Sequence, residues 1–233
     1  MKKVAIFVEG QTEQIFVGKL LHQLYGYQGI RVVSEKIHGK SLFIRVQEGQ
    51  LSDVFDYLFL VINVDTDERV LSAMIENAPN MAEKGFCKIL GLRDLYPRPR
   101  AEKELVLQAV QRVLDSVPQS EMMRLVLAVM EVEAWFLAEP QFFERIDSQL
   151  TTAYVRTMLG IDLENIDPEE ACEHPARVVK DIYDLAGLRY RKRAADTHKI
   201  AESIDYDALC LDAHAKGKIH SFFLFAHEIE TIP

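Results

Sequence analysis

The chain predicts an α/β fold, a parallel sheet flanked by helices, with a helical extension at its C-terminal end. Continuous apolar runs at Val4–Val8 and Tyr57–Ile62 have the pattern of strands buried on both faces, and Phe86–Leu92 and Arg124–Met130 read as two further strands. Stretches of helical periodicity separate these runs, and a βαβα order argues for a parallel sheet covered by helices. Acidic patches also follow directly on the runs: Glu9-Gly10-Gln11-Thr12-Glu13 after the first and Asp65-Thr66-Asp67-Glu68 after the second. Acids in those places lie at the carboxyl edge of a parallel sheet, where open α/β folds put their ligands.

Taken in order, the first strand gives way to a helix over about 13–25, capped by Thr12, with Ile15, Phe16, Leu20, Leu21 and Leu24 at helical spacing. Gly26 and Gly29 end it. A short second strand is expected over 30–33, and a helix somewhere in 40–50. The strand at 57–64 leads into a helix over about 68–82 that stops near Gly85. The strand at 86–92 runs into Arg93-Asp94-Leu95-Tyr96-Pro97, where Pro97 and Pro99 forbid regular continuation. A helix over about 101–117 ends at Pro118, and the last strand enters Glu131-Val132-Glu133-Ala134-Trp135-Phe136-Leu137. Beyond Pro140 only helical periodicity remains, over 141–159, 175–187, 196–203 and 219–230. The expected division is an α/β domain over 1–139 and a helical part over 140–233 packed on it.

Composition narrows the function. With 233 residues, 48% of them hydrophobic, the chain can bury a substantial core. No charged-then-apolar leader and no membrane-length apolar run is present, so a soluble cytoplasmic protein with no membrane role is expected. The spacing of Cys87, Cys172 and Cys210 matches neither a metal site nor a disulfide framework. A net charge of −9 argues against a passive nucleic-acid coat, but not against an enzyme with a local basic patch. The one dense basic run is Arg189-Tyr190-Arg191-Lys192-Arg193. Gly39-Lys40-Ser41 lacks the first glycine of a P-loop, since Ser34 occupies that position. Lys40 remains a candidate to line the site because it follows the second strand.

Carboxylates gathered on one edge repel each other unless a cation sits among them, and hard oxygen donors suit magnesium or manganese. Glu-Gly-x-Thr-Glu at Glu9, Gly10, Thr12 and Glu13, joined to Asp-x-Asp at Asp65 and Asp67, resembles the Toprim domain. That domain is shared by topoisomerases, primases and the overcoming-lysogenization-defect nucleases. The segments Arg93–Pro97 and Glu131–Leu137 resemble those of a Toprim-related family of unassigned function, often encoded beside an ATPase in a manner pointing to phage defence. The resemblance implies a metal-dependent nuclease. One alternative is a non-catalytic regulatory or effector subunit that binds an ATPase. Another is a phosphoryl or nucleotidyl transferase acting on RNA or a nucleotide.

Phosphodiester cleavage needs a nucleophile, neutralisation of charge on the phosphate and help for the leaving oxygen, and carboxylate-held divalent ions supply all three. On this reading Glu9, Asp65 and Asp67 are catalytic and hold metal, with Glu9 ligating it or serving as general acid or base. Asp65 and Asp67, two apart, share a cation if the chain is still extended there. Asp94, Glu131 and Glu133 are candidates for a second metal. Gly10 would let the backbone turn close to the phosphate, and Lys40, Arg189, Arg191, Lys192 and Arg193 would meet DNA or RNA phosphates. Plain structural readings compete: first-turn helix acids for Glu13, Glu68 and Glu133, core for Trp135 and Phe136, and a solvated loop for the basic run. Oligomerisation is left open.

Overall fold

The computed structural model describes residues 1–38, 42–48, 55–66 and 69–233. Six strands form one sheet: β1 (Lys2–Val8), β2 (Ile30–His38), β3 (Leu42–Glu48), β4 (Tyr57–Asn63), β5 (Lys88–Asp94) and β6 (Met123–Ala128), in the order β3-β2-β4-β1-β5-β6. β1 pairs in parallel with β4 and β5, and β2 pairs in parallel with β4. β3 reverses, pairing antiparallel with β2. Of the apolar runs named from sequence, three are the central strands β4, β1 and β5 and the last is β6 at the edge of the sheet, and Val4 to Val8 are wholly buried.

Two expectations near the sheet are corrected. No helix occupies the described part of 40–50; Leu42–Glu48 is β3. Its Leu-Phe-Ile-Arg-Val sequence favours the pleated surface, and β2 runs on to His38 to pair with it. β2 is therefore longer than its apolar part, because Ser34, Glu35 and Lys36 interrupt the hydrophobic run without ending the strand.

The chain divides into two compact units. The first comprises residues 1–93, 101–127 and 225–233 and holds almost the whole sheet. It includes α1 (Gln11–Tyr25), α2 (Arg69–Glu83) and α3 (Lys103–Leu114). Phe16, Val17, Leu20 and Leu21 form the buried stripe of α1. α2 lies so close to β5 that a Cβ on Gly91 would fall 2.4 Å from Met74 Sδ. A larger residue there would require the Met74 side chain to move aside and would crowd Val70 and Leu125. The chain's last residues also belong to this unit: Lys88 Nζ lies 2.6 Å from Glu228 Oε2, and the Tyr25 hydroxyl donates to the Ile229 carbonyl at 2.7 Å.

The second unit, residues 94–100 and 128–224, is helical. Its helices are α4 (Glu133–Leu137), α5 (Phe142–Ile146), α6 (Thr152–Leu159), α7 (Pro168–Ala171), α8 (Pro175–Leu185), α9 (Ala194–Ser203) and α10 (Tyr206–Ala215), with the start of α11 (His220–Glu230). The helical periodicity over 141–159 belongs to two helices, α5 and α6. Trp135, Phe136, Phe142, Phe143 and Phe222 are fully buried, so Trp135 and Phe136 are core residues as expected. Trp135 Nε1–H is shared between Glu169 Oε1 at 3.0 Å and Ser221 Oγ at 2.9 Å. Among the described residues, no helix is long and apolar enough to cross a membrane.

Candidate functional site

In the first unit the candidate residues gather where β1, β4 and β2 end. Val8 stands opposite Asn63 in the β1–β4 ladder, and Lys36 stands opposite Asn63 in the β2–β4 ladder. The Val64 N–H continues the β1–β4 pairing by donating to the Val8 carbonyl at 3.0 Å. Glu9 and Asp65 are thus each one residue beyond a bonded position on neighbouring strands. Glu9 is partly exposed.

Local geometry departs from expectation at two points. Asp65 has φ 69°, a left-handed conformation that aspartate tolerates better than most residues. Its N–H donates to Asn63 Oδ1 at 2.8 Å, closing a turn directly after the strand. The chain is no longer extended at Asp65, so alternation along a strand does not place Asp65 and Asp67 on one side. Asp67 and Lys40 lie outside the described residues. Gly10 is extended, with φ −145°, and caps α1 in place of Thr12, which is buried inside the first turn. Its value is room, not a sharp turn: a Cβ there would stand 3.1 Å from Glu13 Oε2. That oxygen accepts the Gly10 N–H at 2.9 Å, so the buried Glu13 acts as the helix-start acid.

Lys36, a residue sequence reasoning passed over, places Nζ 2.8 Å from Asp65 Oδ1. The pair is open to water, with side-chain exposures of 40% for Lys36 and 62% for Asp65. Asn63, buried beneath the turn, was also missed. The signal for both was the length of β2 and the polar residue closing the β4 run.

The second unit contains the other acids. Asp94 ends β5, is buried, and accepts the Val132 N–H on Oδ1 at 3.0 Å. That bond fastens the turn leading into α4. Glu131 accepts the Ala176 N–H, at the first turn of α8, on Oε2 at 3.0 Å. Its Oε1 lies 3.0 Å from Lys192 Nζ. Glu133 has no exposed surface, and its Oε1 receives the Tyr190 hydroxyl at 2.7 Å and Lys192 Nζ at 3.0 Å. The cation that Glu131 and Glu133 hold is therefore the lysine ammonium. Glu133 Oε2 is buried with no hydrogen-bond partner.

Electrostatics follow from this geometry. Burial raises the Glu133 pKa, and the nearby Glu131 adds to that, while Lys192 and the Tyr190 hydroxyl only partly oppose it. For Lys192, burial pulls downward but Glu133 and Glu131 outweigh it, so the ammonium is held above the usual lysine value. Lys192 itself has φ 52°, a strained conformation that persists because its two ion pairs and the buried Tyr190 beside it fix the loop. Arg189, Arg191 and Arg193 are exposed around it. Among the described residues, no group of three or more His, Cys, Asp or Glu side chains is placed to hold a metal ion.

No curated protein and no solved structure matches the chain significantly. A family model described as "Domain of unknown function (DUF4276)" matches residues 8–216, a span that takes in Glu9, Asp65, Asp94, Glu131, Glu133 and the basic loop. The chain belongs to that family.

Proposed function

We propose that the protein is a metal-dependent nuclease of the Toprim type, hydrolysing phosphodiester bonds with magnesium or manganese, in phage defence beside a partner ATPase. The observation that carries this reading is the placement of Glu9 and Asp65 after bonded positions of adjacent parallel strands, at the edge where α/β sheets bind ligands. The donors fit the metal: both are hard carboxylate oxygens, and Asp65 already attracts a cation in the form of Lys36. When bound, such an ion neutralises charge on the phosphate and activates water.

The chain's own groups have separable tasks. Glu9 and Asp65 would hold the ion, and Glu9 is the candidate to accept or return a proton at the reacting oxygen. The Glu13 carboxylate, fixed on the Gly10 N–H, holds the loop that carries Glu9. Lys36 offers a positive charge beside Asp65 that a phosphate would also attract.

The test is incubation with labelled plasmid and labelled tRNA, with manganese or with chelator, for the wild type and Glu9→Gln. Cleavage that needs manganese and is lost in Glu9→Gln, with melting temperature unchanged or raised, supports the reading. Removing one of several neighbouring carboxylates relieves repulsion in the metal-free protein. A fall of several degrees makes Glu9 a structural residue. Manganese binding without cleavage of either substrate favours the regulatory subunit, and label transferred to RNA rather than released favours the transferase.

A further inference from the structure

The second unit carries a pocket of about 470 Å³ walled by Ala176, Arg177, Lys180, Asp181, Tyr190 and Lys192. Three of the six are cations and one is an acid. Arg177 and Lys180 are three residues apart on α8 and so share a face. Arg177 Nε lies 3.9 Å from Asp181 Oδ2, with both side chains largely in water. Such an exposed i,i+4 pair is worth about 0.3–0.5 kcal/mol and gives way readily to a stronger anion. Lys180 is exposed and, among the described residues, makes no ion pair.

The opposite wall comes from the basic loop, whose residues divide by task. Tyr190 is buried against Glu133, and two donors of the Lys192 ammonium go to Glu131 and Glu133. One donor remains. Lys192 therefore anchors the loop, and its charge is already answered. The residues flanking and between them, Arg189, Arg191 and Arg193, are exposed. The charge in the pocket wall most open to a ligand is that of Lys180 and of Arg177, whose partner there is the half-exposed Asp181; neither belongs to the basic run.

We propose that this pocket binds a phosphate of the nucleic-acid backbone, held by Arg177 and Lys180, with Lys192 positioning the loop that forms the far wall. This rests on the nucleic-acid reading above. A backbone fits better than a lone phosphate ion because the exposed arginines continue the basic surface beyond the pocket, giving successive phosphates a track.

The experiment is fluorescence anisotropy with labelled single-stranded and duplex oligonucleotides, in chelator and across a salt series, for the wild type and Arg177→Ala/Lys180→Ala. Both replaced side chains are exposed, so the melting temperature should hold. Affinity should fall at least tenfold near 0.1 M salt. The slope of log affinity against log salt should flatten by about 0.7 on single strands and about 0.9 on duplex, for the one phosphate no longer neutralised. Wild-type affinity and slope retained by the variant would overturn the pocket. If inorganic phosphate raises the wild-type melting temperature while neither oligonucleotide binds, the pocket is a small-anion site and the backbone proposal falls. Wild-type binding without manganese-dependent cleavage removes the nuclease reading and leaves the pocket standing.

Discussion

Two groups of carboxylates in this protein meet a lysine, and they do so in opposite surroundings. At the sheet edge Asp65 and Lys36 form a pair more than one-third exposed on both sides, so water screens it and little stability depends on it. In the helical unit Glu133 is wholly buried, and Lys192 bridges it to Glu131. A buried charge costs several kcal/mol unless compensated, and taking away its partner costs more than the pair contributes. The exposed pair is exchangeable and suits a site that must admit a ligand. The buried group is committed to holding α4, α8 and the 190–193 loop together.

The largest expected effect breaks the buried side of this contrast. Lys192→Met keeps the apolar stem and strands Glu133 without a cation. Unfolding free energy from urea titration should fall by about 2–3 kcal/mol, below the 3–5 of wholly buried pairs because Lys192 is 41% exposed. Adding Glu133→Gln should recover much of the loss. Burial already raises the Glu133 pKa, so the folded state favours its protonated form. The penalty in Lys192→Met should therefore shrink as pH falls toward the ordinary carboxyl range and grow as pH rises. A loss under about 0.5 kcal/mol would show that the bridge is no more committed than a surface pair.

A second buried acid in the same unit sharpens the point. Glu139 is 3% exposed, accepts the Asp205 N–H at 3.0 Å and is ion-paired with Arg145. Burial pushes its pKa up to about 7, more than those partners pull it down. A carboxyl raised in the folded state binds its proton more tightly there than in the unfolded chain. Its contribution is present below about pH 4.5 and is lost as pH rises through about 7, a fall of about 3 kcal/mol. Glu139→Gln should flatten that part of the stability profile. An unchanged profile between pH 5 and 8 would assign the pH dependence to other groups.

These contrasts bear on what the chain's order of residues discloses. The strands β1, β4, β5 and β6 were legible because each is built around a mostly apolar stretch, and the acids after them were legible for the same reason. β3 and the far half of β2 were not, since polar residues break the hydrophobic run while backbone pairing continues regardless. Seven-residue strands survive such interruptions at a sheet's edge; α7, at four residues, is too short for any periodic signal. The bridge from Lys192 to Glu131 and Glu133 spans about sixty residues, a non-local pairing that no window along the chain contains. Tyr190 and Lys192 looked like two members of a uniformly basic strip, and only packing separates the anchors from the exposed arginines.

The smallest expected effect tests the exposed side. If a divalent ion and the Lys36 ammonium compete for Asp65, removing the lysine should tighten metal binding rather than loosen it. Calorimetry with manganese should give a lower Kd for Lys36→Ala by a few-fold, since a surface pair of this kind is worth about 0.2–1 kcal/mol and that is the most its absence can return. Asp65→Asn should shift the Kd the other way, because a neutral amide oxygen is a poorer donor to a hard cation than a carboxylate. Stability should change by less than about 1 kcal/mol in either variant. Metal affinity that is the same in both variants as in the wild type would place the metal elsewhere. Affinity that falls in Lys36→Ala would mean that Lys36 supports the ligands instead of competing for them, and the pair would then resemble the buried one in function despite its exposure.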